Sequence, residues 1–430
     1  MMGITNSGLP PILATMATRD PNGPASNTLG TAPQLGDIRR INLSSVLRTI
    51  QRQGPITRQE LIASTGLSRL TVLELVSELQ ALGVVEEQIT RHGVNGRPAG
   101  RLVLDQTRLA VGAAEINLGE VAFRYATLDG AELGGKRIKL DGRRRGPAAV
   151  LDALAELIVE GMDWCATDGR RLVHITVGCL AIVAPRTGTI VSSTALGWGE
   201  VQIAANLRQR LGSDVAVSVD RLANIAIHAE RSLGPWPSDA GILMLYGGVG
   251  VGGSYQSHSD VLYGDSGLGG NFGHLAVEFD GRPCYCGRRG CLETYVGVGP
   301  LANVLDQTPD RPVTGPAVPR EKTLRAVRRG DPAVAEELRN QGRWLARAIE
   351  QVTVAFDPAV VILGGSLAEF APMMMPSLES EAARLNNQSH FASLAIVEPS
   401  KLGPDAVLRG GVVMAIDAVV REPWRLHVVD

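Results

Sequence analysis

Lysine is almost missing from the chain. It stands only at positions 136, 139, 322 and 401, so 38 of the 42 basic residues are arginine, a bias of the kind a GC-rich genome produces. No stretch approaches the ~18 consecutive apolar residues of a membrane span, which argues against a membrane protein. The first residues lack a basic region followed by an apolar run and a small-residue cleavage site, so the cytoplasm is the expected compartment. An excess of either charge is also missing: 42 basic residues oppose 44 acidic ones, a formal net charge of −2. Such a chain has no global field for nucleic acid, and any DNA-binding surface has to be local. Cysteine is scarce, with five in 430 residues, three of them crowded into Cys284, Cys286 and Cys291. A disulfide framework does not fit this length and compartment, whereas clustered thiols fit a metal.

The hydrophobic fraction of 44% is that of a globular protein, and 430 residues are enough for two or three domains. Residues 1–36, rich in Pro, Gly, Thr, Asn and Ser, read as a disordered tail. Residues 37–104 read as a helical domain with a short extended end. Leu43, Val46, Leu47 and Ile50 form one helical face. Thr57-Arg58-Gln59-Glu60 is a capping box that starts a second helix, and Gly66 breaks it. Ser68 caps a third helix that buries Val72, Leu75, Val76, Leu79 and Leu82 and ends at Gly83. Val84-Val85 and Leu102-Val103-Leu104 then pair as a wing around a Gly/Arg loop. From 105 to 430, strand-like segments at Ile175–Val183, Ile242–Tyr246 and Val360–Leu363 alternate with helical ones such as Leu151, Leu154, Ile158 and Met162, an α/β pattern. Thr308–Pro319, with four prolines, reads as a surface loop, and no repeat of fixed period is present.

Three helices with a tight turn before the third, then a wing, are what a major-groove reader needs. The candidate DNA contacts are Ser68, Arg69 and Thr71 at the start of the third helix, and Arg97 in the wing. The segment 37–104 holds nine Arg and six Asp/Glu, so it is locally +3. A small helical domain for protein contacts is the alternative. His274, Cys284, Cys286 and Cys291 supply one imidazole and three thiolates, a closed tetrahedral set suited to structural Zn2+. Cys165 and Cys179 read as small buried residues, and His174 and His228 as structural or surface positions. Gly247–Gly253 follows a strand and is either a phosphate cradle or a packed turn.

Gly264-Asp-Ser-Gly-Leu-Gly-Gly-Asn-Phe-Gly-His274 followed by Cys284-Tyr-Cys-Gly-Arg-Arg-Gly-Cys-Leu-Glu293 resembles the signature of the ROK family (repressors, open reading frames and kinases). The resemblance runs from about Asn42 to the C-terminus. It implies a winged helix-turn-helix followed by a two-lobed actin-like, ribonuclease-H-like α/β domain with a sugar cleft. It also implies dimers or tetramers on palindromic, double-stranded operator DNA, released by a carbohydrate-type inducer. Asn224, Asn271, His274 and Glu293 stand at positions of the family's ligand shell; a plain capping carboxylate is the alternative for Glu293. Family kinases carry Asp-x-Gly-Gly-Thr at the phosphate, where this chain has Glu115-Ile116-Asn117-Leu118-Gly119. They carry Glu-Asn-Asp-Ala-Asn at the catalytic segment, where it has Asp220-Arg221-Leu222-Ala223-Asn224. Arg221 thus replaces a sugar-binding Asn, Asn271 a sugar-binding Glu, and Leu180-Ala181 a Pro-Gly turn. Leucine cannot take a proton from a hydroxyl, so Leu222 implies that phosphoryl transfer is lost and that no catalytic residue remains. The expected function is a transcriptional regulator, in the sense of a repressor, that senses a sugar-like ligand. An active sugar kinase with an appended DNA-binding domain, and a zinc-stabilised oligomerisation scaffold, are the competing readings.

Overall fold

The computed structural model describes residues 35–90, 99–237, 239–248, 250–258, 260–265, 267–306, 320–388 and 395–427. Arg97 and the proline-rich loop lie outside the described residues, and so does the expected tail except for Leu35 and Gly36, which already belong to the first helix. The chain divides into a unit ending at Asn42 and a compact unit over Leu43–Asp430. No helix among the described residues is long and apolar enough to cross a membrane.

Helix α1 (Leu35–Gln53) buries Leu43, Val46, Leu47 and Ile50. After β1 (Ile56–Thr57), the Thr57 hydroxyl accepts from Glu60 N while Glu60 Oε2 accepts from Thr57 N at 2.8 Å, which starts α2 (Arg58–Thr65). Gly66 ends it at φ 68°, a left-handed conformation that glycine adopts without strain. Ser68 Oγ accepts from Thr71 N at 3.2 Å at the start of α3 (Arg69–Ala81), whose buried face is Val72, Leu75, Val76 and Leu79. β2 (Val85–Thr90) pairs antiparallel with β3 (Ala99–Leu104), and β1 joins the far edge of β3.

The rest is built on two sheets of one plan. In the first, β4 (Leu109–Ile116), β5 (Glu120–Thr127) and β6 (Glu132–Lys139) form an antiparallel meander. β7 (Arg171–Cys179) and β10 (Ala216–Arg221) then add in parallel beyond β4, giving the order β6-β5-β4-β7-β10. Helix α4 (Gly142–Thr167), the hairpin β8 (Ile182–Ala184)–β9 (Thr189–Ser192) and α5 (Ile203–Leu211) connect these strands, and α6 (Leu222–Leu233) follows β10. The second sheet repeats the plan as β13-β12-β11-β14-β15: β11 (Ile242–Gly247), β12 (Val251–Ser257) and β13 (Asp260–Val261) form the meander, and β14 (Val360–Gly365) and β15 (Ile396–Pro399) are the parallel additions. Between its halves lie α7 (Val298–Asp306), α8 (Arg320–Arg328) and α9 (Pro332–Phe356); α10 (Ser366–Gln388) and α11 (Ala406–Arg421) complete the chain. Two such sheets are the architecture the resemblance implies.

One expectation needs correction. The single strand read over Ile175–Val183 is two strands, β7 and β8, separated at Leu180-Ala181. There Leu180 N makes the last bond of the β4–β7 ladder, to Ile116 O, and Leu180 O instead accepts from Ser193 Oγ at 2.6 Å, so the ladder stops. All eight residues of β4 are buried because the first sheet is covered twice. Ala110, Ala114 and Ile116 pack with α4, and Val111 and Ala113 pack with α11, a period-two division of one apolar run. Helix α11 reaches further. Its Ile416, Val419 and Val420 share one apolar cluster with Leu43, Val46, Leu47 and Ile50 of α1, and Ser44 Oγ donates to Val420 O at 3.0 Å.

Candidate functional site

The exposed face of α3 carries Arg69, Leu70, Leu73, Glu74 and Ser77, at the i, i+1, i+4, i+5, i+8 spacing of one helix side. Ser68 and Arg69 lie at its N-terminal end, as expected. Thr71 is half-buried, and its Oγ1 lies 2.8 Å from Ser68 Oγ, so both hydroxyls belong to the helix cap. Leu70 and Leu73 fall outside the buried face expected from the sequence, and the sequence assigns them no role because an apolar side chain carries no chemistry that marks a contact.

A second constellation gathers where β10 meets α6. The Arg221 guanidinium donates through Nη2 to Asn224 Oδ1 (3.0 Å) and Gly269 O (2.6 Å), and through Nη1 to Asn271 Oδ1 (3.1 Å). Asp220 Oδ1 accepts from Asn224 Nδ2 at 2.8 Å and from Arg221 N at 2.7 Å, and its Oδ2 accepts from the Tyr263 hydroxyl at 2.6 Å. Burial raises the Asp220 carboxyl and lowers the Arg221 guanidinium from their ordinary pKa values. Asn224 and Asn271 are thus brought together, but by an arginine that already uses their oxygens. Tyr263 carries no motif that marks it in the sequence.

The other two ligand-shell residues meet each other. His274 Nδ1 lies 2.8 Å from Glu293 Oε1, which also accepts from Cys284 Sγ at 3.0 Å, while Glu293 Oε2 accepts from the Tyr285 hydroxyl at 3.1 Å. Burial opposes charge on His274, but the bond to Glu293 outweighs it and raises the pKa. The short helix Phe272–His274 joins the two pairs, with His274 N bonded to Asn271 O.

The ligand atoms of His274, Cys284, Cys286 and Cys291 all lie within 4.8 Å of one another. Cys284 Sγ is 3.8 Å from His274 Nδ1 and Cys286 Sγ is 3.7 Å from Cys291 Sγ. A four-coordinate zinc with bonds of about 2.3 Å to sulfur and 2.0–2.1 Å to nitrogen has edges of roughly 3.5–3.8 Å, so the donor set fits a metal ion in size as well as chemistry. Although burial works the other way, Arg288 and the neighbouring thiols bring the Cys286 thiol down to about 7.

Leu222 is buried at the start of α6 in a cluster with Ile225 and Val407. At the stretch matching the kinase phosphate motif, Asn117 N bonds to Glu120 O at 3.0 Å and Leu118 N to Asn117 Oδ1 at 2.8 Å. Glu115 beside them is buried, which pushes its carboxyl up to about 7. In the glycine-rich stretch, Gly247 ends β11 and Val251 opens β12, the two paired with each other, and a Cβ on Gly250 would stand 2.3 Å from Glu293 Oε2. His174 (3.0 Å from Ser218 Oγ) and His228 are half-buried, and desolvation lowers each to about 4; Cys165 and Cys179 are buried.

Residues 116–418 match the ROK family and residues 39–86 match winged helix-turn-helix DNA-binding domains. The xylose repressor of Bacillus subtilis (strain 168) is 24% identical over 384 residues, which cover 88% of this chain and 96% of that protein. The DNA-binding transcriptional dual regulator NagC of Escherichia coli (strain K12) is 24% identical over 367 residues, 82% of this chain and 88% of that one. A solved ROK family transcriptional regulator, a homolog of the E. coli MLC protein, superposes with a TM-score of 0.73 at 21% identity and covers 90% of this chain and 98% of its own.

Proposed function

Because the chain belongs to the ROK family, we propose that it is a DNA-binding transcriptional regulator, acting as a repressor, in which residues 37–104 bind the operator and residues 105–430 sense a small carbohydrate-type ligand without phosphorylating it. The observation that carries this reading is the union in one chain of a winged helix-turn-helix match with a ROK domain built on two sheets of one plan; Leu222, at the position expected for the kinase base, supports it. Two copies on a two-fold symmetric site would supply the affinity that one +3 segment lacks. His274, Cys284, Cys286 and Cys291 would hold Zn2+, which with four protein ligands stabilises the loop and activates no water.

Ser68, Arg69 and Thr71 would then lie at the major groove and Arg97 at the backbone or minor groove. Arg69→Ala is expected to cost roughly 1–3 kcal/mol and relax preference at one operator position per half-site. Arg97→Ala is expected to weaken all sequences evenly and make the salt slope shallower by about one unit. A salt titration of the full chain on operator and random DNA checks both.

Against the kinase alternative stand Leu222 and two backbone amides, Asn117 N and Leu118 N, that are already hydrogen-bonded where a phosphate would need donors. A coupled ATPase assay with a panel of hexoses, amino sugars and pentoses is expected to match its no-enzyme control. Leu222→Asp alone is expected not to restore turnover, because the amides stay occupied. Protein-dependent, sugar-dependent ADP release would overturn this assignment. The scaffold reading is favoured by one observation: Arg221 takes up the side-chain oxygens of Asn224 and Asn271 that a ligand would use. Thermal-shift screening against sugars, amino sugars and sugar phosphates separates the two, since a sensor is stabilised by its ligand and a scaffold by none.

A further inference from the structure

We infer that Leu70 and Leu73 read the 5-methyl groups of thymine in the operator, which makes this leucine pair, beside Arg69, a specificity-determining surface of α3. The inference rests on the reading of residues 37–104 as a DNA-binding domain and names the base chemistry it selects. Leu70 is 68% and Leu73 39% exposed, while Val72, Leu75, Val76 and Leu79 on the other side of the same helix are at most 1% exposed. The helix therefore has a complete buried face without them. Two large apolar side chains three residues apart stand side by side on a helix, roughly 5–6 Å between Cβ atoms, a separation that suits methyl groups on neighbouring or next-but-one base pairs.

Of the polar residues expected at the base edges, two have their hydroxyls engaged elsewhere, which leaves Arg69 to share this work with the leucines. Ser68 and Thr71 hydroxyls are engaged with each other and with the helix cap. Arg69 and Glu74 flank the pair, and the segment that carries this face is +3 as a whole, which favours a polyanion over an apolar partner. In the major groove the apolar feature that distinguishes one base pair from another is the thymine methyl group, and apolar side chains are what contact it. Leucines that a solvated helix would not need acquire there a partner that excludes water.

The test uses the full chain and an operator recovered by selection from genomic fragments. Thymines of one half-site are replaced singly by 2′-deoxyuridine, which deletes the methyl group and keeps every hydrogen-bonding edge. At one or two positions the substitution is expected to weaken binding about fourfold, the equivalent of the roughly 0.8 kcal/mol that burying one methyl-sized group is worth. Leu70→Ala or Leu73→Ala is expected to weaken the thymine operator and to abolish the difference between thymine and uracil at its own position. Both sites are exposed, so the variants should melt as the parent does. Tight, selective binding that is indifferent to uracil at every position overturns the inference and leaves the DNA-binding reading standing. Equal affinity for operator and random DNA would instead remove the reading beneath it. A changed oligomeric state in Leu70→Ala, with the uracil response intact, would give the face to a second copy of the chain and overturn the inference too.

Discussion

Cys286→Ser is expected to empty the four-ligand site and loosen the loop between His274 and Glu293. The parent protein should carry about one zinc per chain by elemental analysis. Serine leaves three ligands, and its hydroxyl is a far poorer donor to zinc than a thiolate. Outer-shell partners of metal ligands already change affinity by about 10- to 100-fold when mutated, so loss of a ligand itself should exceed roughly 100-fold. The consequence reaches beyond the metal. Tyr285, within the loop, donates to Glu293 Oε2 at 3.1 Å, so a loop that no longer gathers around an ion disturbs that carboxylate's surroundings as well. Loss of metal should thus appear together with a lower melting temperature and faster proteolysis near residues 280–290. A metal-free parent protein of unchanged stability would show that the four side chains serve another purpose.

Gly410→Val is expected to destabilise the chain by about 3 kcal/mol or more and to reduce operator binding with it. A Cβ at Gly410 would lie 2.1 Å from Ile225 O, and one at Gly411 2.7 Å from the Ala113 Cβ. The first obstacle is backbone of α6 and cannot rotate away. Helix α11 is wedged by these two glycines between α6 and the first sheet, while its far end packs Ile416, Val419 and Val420 into the core of α1. Displacing it should therefore disturb both. Gly119→Ala is the control, since a Cβ there meets nothing within 4 Å. Thermal melts of the two variants, read beside operator affinity, check the expectation. Equal melts would mean that α11 is free to shift without cost.

Local chemistry was legible in the sequence. Thr57 and Glu60 cap α2, Ser68 caps α3, and His274, Cys284, Cys286 and Cys291 converge because the signals involved span only a few residues. Relations between distant segments were not. The two sheets share a strand order but no residue pattern, so the duplication leaves no repeat of fixed period. Ser44 and Val420 are 376 positions apart, and nothing in either segment announces that α11 completes the helix-turn-helix core. Leu180-Ala181 looked like the middle of a buried strand because apolar runs do not show where a ladder ends. Arg221 was legible as a substitution in a sugar shell. That its guanidinium spans Asn224, Asn271 and Gly269 O depends on the turn at Gly269–Asn271, which places those acceptors within its reach.

A sequence-specific, DNA-binding regulator that works as a symmetric oligomer leaves a footprint of defined symmetry. Operator fragments are selected from genomic DNA with the full chain and protected against cleavage at physiological salt. The isolated segment 37–104 is titrated on the same fragments. Two protected half-sites related by a two-fold axis, spaced by about one helical turn or a multiple of it, are expected, with much weaker binding by the isolated segment. Protection without a defined boundary, or a segment 37–104 that binds as tightly as the full chain, would contradict this expectation.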